Sequence, residues 1–197
     1  MNKHTFFYTT ILILIGVMAT AQEKFQYGLK GGLNISNYSG ELESTEATIE
    51  GQIAFHVGVM AEISLLNKFS IQPEVLYEVE NFKISNLDEG KDTEFKLDFI
   101  AIPIMFKFYI TDNIQVLAGP EYAINLDHER DNISNGRYDS TALDNINDRV
   151  GANIGVAYKL NNLSVYGRYR IGSSEVYNIN YADLKSSGVY LGLEYFL

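Results

Sequence analysis

FQYGLKGGLNI, residues 25–35, places Phe25, Tyr27, Leu29, Leu33 and Ile35 at odd positions, with glycine, lysine or amide side chains between them. Period-two alternation of this kind reads as a β-strand with one dry side. The pattern alone suits either a protein core or lipid on that side. The rest of the chain separates the two.

Upstream, MNKHTFFYTTILILIGVMATAQ carries Lys3, an apolar run from Phe6 to Met18, and small residues Ala19 and Ala21 before Gln22. This is the three-part grammar of a secretory signal peptide. The run is too short for a membrane helix, which needs roughly 20 apolar residues. Residues 1–21 are therefore expected to be cleaved, leaving residues 22–197 as one domain with no Pro/Ser-rich linker and no repeat. The chain has no cysteine, so neither a lipidated N-terminus nor a disulfide framework is available. Net charge is −10 over the whole chain, which argues against nucleic acid as a partner.

Alternation marks eight strands in the mature chain, near residues 25–36, 53–64, 69–80, 95–109, 114–126, 149–159, 163–174 and 187–197. Their connections alternate in length. Strands one, three, five and seven are followed by long polar stretches, among them NYSGELESTEATIEGQ, NFKISNLDEGKDTE and residues 127–148. Strands two, four and six are followed by LLNK, ITDN and LNNL, turns short enough to force antiparallel neighbours. An even number of strands, with tight turns at one end and longer loops at the other, is the layout of a transmembrane β-barrel. A soluble lipocalin-like barrel also has eight antiparallel strands, but its loops have no reason to sort by parity.

The two faces of these strands differ in kind. One holds Leu29, Leu33, Ile53, Phe55, Val57, Val59, Ile63, Val116, Ile154, Val156, Leu191 and Leu193, with almost no charge. The other holds Lys30, His56, Glu62, Glu74, Glu78, Glu121, Arg149, Lys159, Arg168, Arg170 and Glu194 among several glycines. Glycine weakens a strand and covers nothing; inside a narrow barrel it makes room for arginine and glutamate to meet as neutralising pairs. The charges are therefore placed inside and the bulky face outside. Phe25, Tyr27, Phe69, Phe108, Tyr158 and Tyr195 fall near the tight-turn ends, where an aromatic girdle meets a membrane interface.

One strand departs from the scheme. In LDFIAIPIMFKFYI, residues 97–110, early parity puts Asp98 inside, whereas later parity groups Ile100, Ile102, Ile104, Phe106 and Phe108. A β-bulge near Phe99 would keep both halves apolar outward and turn Lys107 into the lumen.

The phrases YGLKGGLNIS (27–36), IQPEVLY (71–77), LDFIAIPIMFK (97–107), LAGPEY (117–122) and GVYLGLEYF (188–196) resemble the outer-membrane β-barrel domain family, the PorT-like and OmpX-like small barrels of Gram-negative bacteria. The likeness spans essentially the whole mature chain. It implies an all-β, eight-stranded, antiparallel up-and-down transmembrane barrel in the cell outer membrane; some relatives serve a protein secretion system and most have no assigned activity. Relatives commonly end on an aromatic residue, whereas here Phe196 is penultimate and Leu197 last.

Candidate chemistry is sparse. Glu62, Glu74, Glu78, Glu121, Arg168 and Arg170 imitate an acid/base site, but packing of a sealed lumen explains them more simply. His56 with Glu62, or His128 with Ser134, would be the pairs for a barrel enzyme acting on lipid; neither spacing is diagnostic. DHERDNISNGRY (127–138) starts like a calcium loop yet lacks glycine at its sixth position and glutamate at its twelfth. Glu41, Glu43, Glu46 and Glu50 make the first long stretch acidic with no basic residue, a composition open to divalent cations at a lipopolysaccharide surface.

The expectation is a monomeric, non-enzymatic outer-membrane barrel with a side-chain-filled lumen and acidic external loops, without catalytic residue, metal or cofactor. Its role is structural, adhesive or accessory to a surface or secretion complex, and its partners are outer-membrane lipid, lipopolysaccharide and other envelope or secretion proteins. The alternative is a lipid-acting barrel enzyme, and the third reading a soluble lipocalin-like ligand binder.

Overall fold

The computed structural model describes residues 25–39, 47–86, 91–134, 137–142, 147–172, 175–179 and 182–197. Its strands are β1 (Phe25–Ser39), β2 (Ala47–Leu66), β3 (Phe69–Asn86), β4 (Lys91–Tyr109), β5 (Ile114–Ser134), β6 (Arg137–Ala142), β7 (Arg149–Leu160), β8 (Leu163–Gly172), β9 (Glu175–Ile179) and β10 (Ala182–Phe196). Eight of them, β1–β2–β3–β4–β5–β7–β8–β10, pair in antiparallel sequence, and β10 returns to β1 along a register running from Gly28↔Phe196 to Ser39↔Lys185. The sheet therefore closes on itself and has no free edge in its wall. Strands β6 and β9 are short additions paired to β5 and β10 at the long-loop end.

The outward face is the apolar one. Leu29 is 54% exposed, Val57 52%, Val156 57% and Leu191 62%, so these side chains form no closed interior. Lys30, His56, Glu74, Arg149, Arg168 and Glu194 are buried on the opposite face. Tyr27, Phe108, Tyr158 and Tyr195 are exposed at the tight-turn end, with Phe25 and Phe69 half-buried beside them. Ile63, expected on the outer face, is nearly buried where its backbone pairs with Phe25 on one side and Ile71 on the other.

Inside, backbones approach closely enough to require glycine. A Cβ on Gly32 would stand 2.1 Å from the Leu191 carbonyl oxygen, and one on Gly58 would stand 2.0 Å from that of Val75. The β7–β8 turn rests on Asn161, whose φ of 53° lies in the left-handed region that asparagine tolerates. The β4–β5 turn is closed by Thr111 Oγ1, which accepts the Ile114 amide at 3.0 Å.

The structure also corrects the sequence reading of β4 and of the long connections. The bulge expected in β4 near Phe99 is absent from that strand: the register shifts there because β5 carries an extra residue, Leu126, so that Asp98 pairs with Asp127 and Phe99 with Asn125. Strand β4 thus alternates without interruption. Phe95, Leu97, Phe99, Met105 and Lys107 point inward, and Asp98 faces out, where it accepts a hydrogen bond from Tyr77 Oη at 2.9 Å. The long connections are also shorter than expected, because strands continue through their polar sequence. β2, β3, β4 and β5 run 20, 18, 19 and 21 residues, against 12 and 10 for β7 and β8. Crossing a bilayer takes about 9–11 residues. β2 to β5 are therefore the longest strands of the wall, ahead of β1 and β10 at 15 residues each.

All three prolines of the chain lie in these long strands. Each pairs with one neighbour and breaks the ladder toward the other. Pairing lapses between β2 and β3 beside Pro73, between β3 and β4 beside Pro103, and between β4 and β5 beside Pro120, while Pro73↔Ile104, Pro103↔Glu121 and Pro120↔Ala152 stay in register. A residue without N–H donates nothing to the side it would have faced.

Candidate functional site: a filled ionic lumen

Alternation on a closed barrel sends every second side chain to the axis, and each of the eight wall strands delivers at least one charge there. Lys30 comes from β1, Glu62 from β2, Glu74, Glu78 and Glu80 from β3, Lys107 from β4, Glu121 from β5, Arg149 from β7, Arg168 and Arg170 from β8, and Glu194 from β10. Six carboxylates thus face five cations, each group 3% exposed or less. Only mutual pairing makes such burial tolerable, since an uncompensated buried charge costs several kcal/mol.

The pairs form one continuous ladder along the axis. At the tight-turn end Glu62 accepts hydrogen bonds from Ser70 Oγ at 2.8 Å, Lys107 Nζ at 3.2 Å and the Tyr109 hydroxyl. Lys107 continues to Glu194 at 3.1 Å, Glu194 to Lys30 at 2.9 Å, and Lys30 to Glu74 at 2.7 Å. Gln72 Nε2 donates to both Glu74 and Glu194, at 2.8 and 3.0 Å. Arg168 then spans Glu74 and Glu78, at 3.1 and 3.2 Å. Arg149 gathers Glu78, Glu80 and Glu121 at 2.7, 2.6 and 2.8 Å, and Arg170 meets Glu80 at 2.7 Å. Aromatic faces fill the remaining space: Lys30 Nζ lies 4.0 Å from the Tyr166 ring centroid, and the Arg168 guanidinium 4.7 Å from that of Tyr190.

Beyond Glu80 the lumen turns apolar. Tyr38, Phe82, Phe95, Leu97 and Phe99 pack together toward the long-loop end, with Phe82 and Phe95 stacked at 4.6 Å. Sequence parity placed Glu74 and Glu78 inside but passed over Glu80, which the same parity indicates. It also passed over this aromatic plug, because inward Phe95, Leu97 and Phe99 contradict the rule that only polar residues face the lumen. Lys159, expected inside, sits half-buried at the tight-turn mouth, bonded to Gln26 Oε1 at 3.1 Å. That mouth is a polar hollow of about 350 Å³ lined by Gln26, Glu62, Tyr109 and Lys159, among others.

Neither candidate catalytic pair is assembled. His56 is engaged with Asn34 Oδ1 at 3.3 Å and with the Tyr166 hydroxyl, while Glu62 belongs to Ser70, Lys107 and Tyr109. Six residues along one extended strand also separate them by about 20 Å. His128 does not open a loop: its backbone pairs with Leu97 in the β4–β5 ladder, and Ser134 lies six residues farther along β5. Among the described residues no group of three or more His, Asp or Glu is placed to hold a metal ion.

Comparison with known proteins agrees with this geometry. The sequence model of the family described as outer membrane protein beta-barrel domain matches residues 20–176. Neisserial surface protein A superposes with a TM-score of 0.56 at 15% identity, covering 86% of this chain and 96% of that one. Ail, the attachment invasion locus protein of Yersinia pestis, solved with the heparin analogue sucrose octasulfate, gives 0.52 at 14% identity, covering 88% and 99%. OprG of Pseudomonas aeruginosa gives 0.51 at 12%, covering 88% and 96%. At these identities the likeness is one of fold. Sequence comparison with curated proteins yields no match.

Proposed function

The chain belongs to the outer membrane protein beta-barrel domain family, and from that premise we propose that it is a non-conducting, non-enzymatic anchor that presents an acidic platform outside the cell. Residues 1–21 act as the cleaved signal peptide, the tight turns face the periplasm, and the long-loop end faces outward. The observation that carries the reading is the ladder from Glu62 to Glu80, closed by the plug around Phe82: it occupies the lumen that a porin would leave to water.

The outward end is where a partner is met. Strands β2 to β5 outgrow the membrane there, and the segment from 37 to 52 adds Glu41, Glu43, Glu46 and Glu50. The Ail structure holds a polysulfated sugar. A chain of net charge −10 with acidic loops suits the opposite class: a basic protein surface, or divalent cations shared with lipopolysaccharide. The role is adhesive, structural or accessory to a surface or secretion complex. Reconstituted in a planar bilayer, the protein is expected to carry no steady current. A persistent unitary conductance would contradict the proposal.

A further inference from the structure

The outer wall is not uniformly convex. Between β4 and β7 it carries an apolar groove of about 440 Å³ whose floor is β5. Phe106 and Phe108 form one bank, with the Phe69 ring stacked on Phe106 at 6.1 Å and 17°. Ile154 and Val156 form the other bank. The depression follows from the register, because Phe106↔Ala118↔Ile154 puts a methyl group between two large side chains, and Phe108↔Val116↔Val156 continues it toward the turns. Its inner end meets the lapse in the β4–β5 ladder beside Pro120. Its outer end opens at the tight-turn rim, where the Tyr109 amide donates to the Lys68 carbonyl at 3.0 Å. Lys68 is exposed there, with no ion pair among the described residues.

We propose that this groove is a phospholipid site, holding one acyl chain of a periplasmic-leaflet lipid with the Lys68 ammonium against its phosphate. The assignment rests on the transmembrane reading with tight turns at the periplasm. The groove is continuous with the apolar band of the wall, and its banks offer no hydrogen-bonding side chain. A peptide segment laid in it would leave backbone polar groups unsatisfied in hydrocarbon. An acyl chain carries no polar group and matches the shape, and a cation at the interface favours an anionic head group.

The test uses the full mature chain in vesicles of phosphatidylethanolamine and phosphatidylglycerol, extracted gently and weighed by native mass spectrometry. Wild type is expected to retain one phospholipid per barrel, enriched in phosphatidylglycerol. Ala118→Leu, which fills the groove from an outward position, is expected to lower retention about tenfold. Lys68→Gln is expected to erase the phosphatidylglycerol preference, about fivefold. Ala152→Leu, outward on β7 but away from the groove, should retain lipid as wild type does. Equal retention by Ala118→Leu and wild type overturns the site. So does an Ala118→Leu protein whose only change is in oligomeric state, which would assign the groove to a second copy. Failure of wild type to insert into vesicles would instead remove the transmembrane reading, and the site with it.

Discussion

Lys107 of β4 and Glu194 of β10 stand on diametrically opposite strands of the barrel, yet their side chains meet at 3.1 Å on its axis. The contact ties the two halves of the wall through the lumen. Lys107 also holds Glu62 at 3.2 Å, so one ammonium serves two buried carboxylates.

Lys107→Met is expected to destabilise the barrel by about 3–5 kcal/mol, because it leaves buried Glu62 without a counter-charge and Glu194 with Lys30 alone. Urea unfolding from lipid vesicles measures this. The double variant Lys107→Met/Glu194→Gln should cost less than the two single losses combined, with a coupling of about 0.5–3 kcal/mol. Strict additivity would show that the pair does not act as a unit.

Val57 pairs with Gly31 and Tyr77 in the middle of the wall and faces outward. Val57→Arg should cost about 2–4 kcal/mol in bilayer folding, the penalty of a cation near the hydrocarbon midplane. A neutral effect in vesicles would place that face in water.

At the β7–β8 turn, Asn161→Gly is expected to leave stability near wild type, whereas Asn161→Val should cost about 1–2 kcal/mol, because a β-branched residue resists positive φ. Thermal unfolding in detergent, read by the shift from folded to unfolded gel mobility, distinguishes the two. Indistinguishable variants would mean that the turn relaxes to another conformation.

The three proline lapses predict a soft line across the long strands of the wall. Amide exchange at Ile104, Met105 and Gly119 should be faster than at Leu33 or Val59, which sit in uninterrupted register. Uniform protection across β4 and β5 would contradict this.

Much of this was legible in residue order, and what was not has a physical cause. Alternation in FQYGLKGGLNI and in residues 149–159 identified strands and faces because one side is dry there. The extensions of β2 to β5 read as loops because charged and amide residues dominate them, and that polarity masks the period-two pair Phe82 and Ile84, which turns to the plug. Apolar residues at both parities in LDFIAIPIMFKFYI read as a bulge in that strand, but they reflect an inward plug: β4 alternates throughout, and the shifted register belongs to Leu126 of β5, which β4's own sequence cannot reveal. The ladder's membership was legible in Lys30, Glu74, Arg168 and Glu194, and its connectivity was not, since it joins residues up to 164 positions apart.

The central claim is that alternate apolar side chains face hydrocarbon while paired ions fill the axis. In a chain with no cysteine, single nitroxide labels introduced at Leu29, Val57, Val156 and Leu191 report it directly in reconstituted bilayers. All four are expected to be accessible to dissolved oxygen and shielded from a water-soluble nickel complex. Labels shielded from both would mean a closed protein core, and labels open to nickel would mean an aqueous surface; either result contradicts the account.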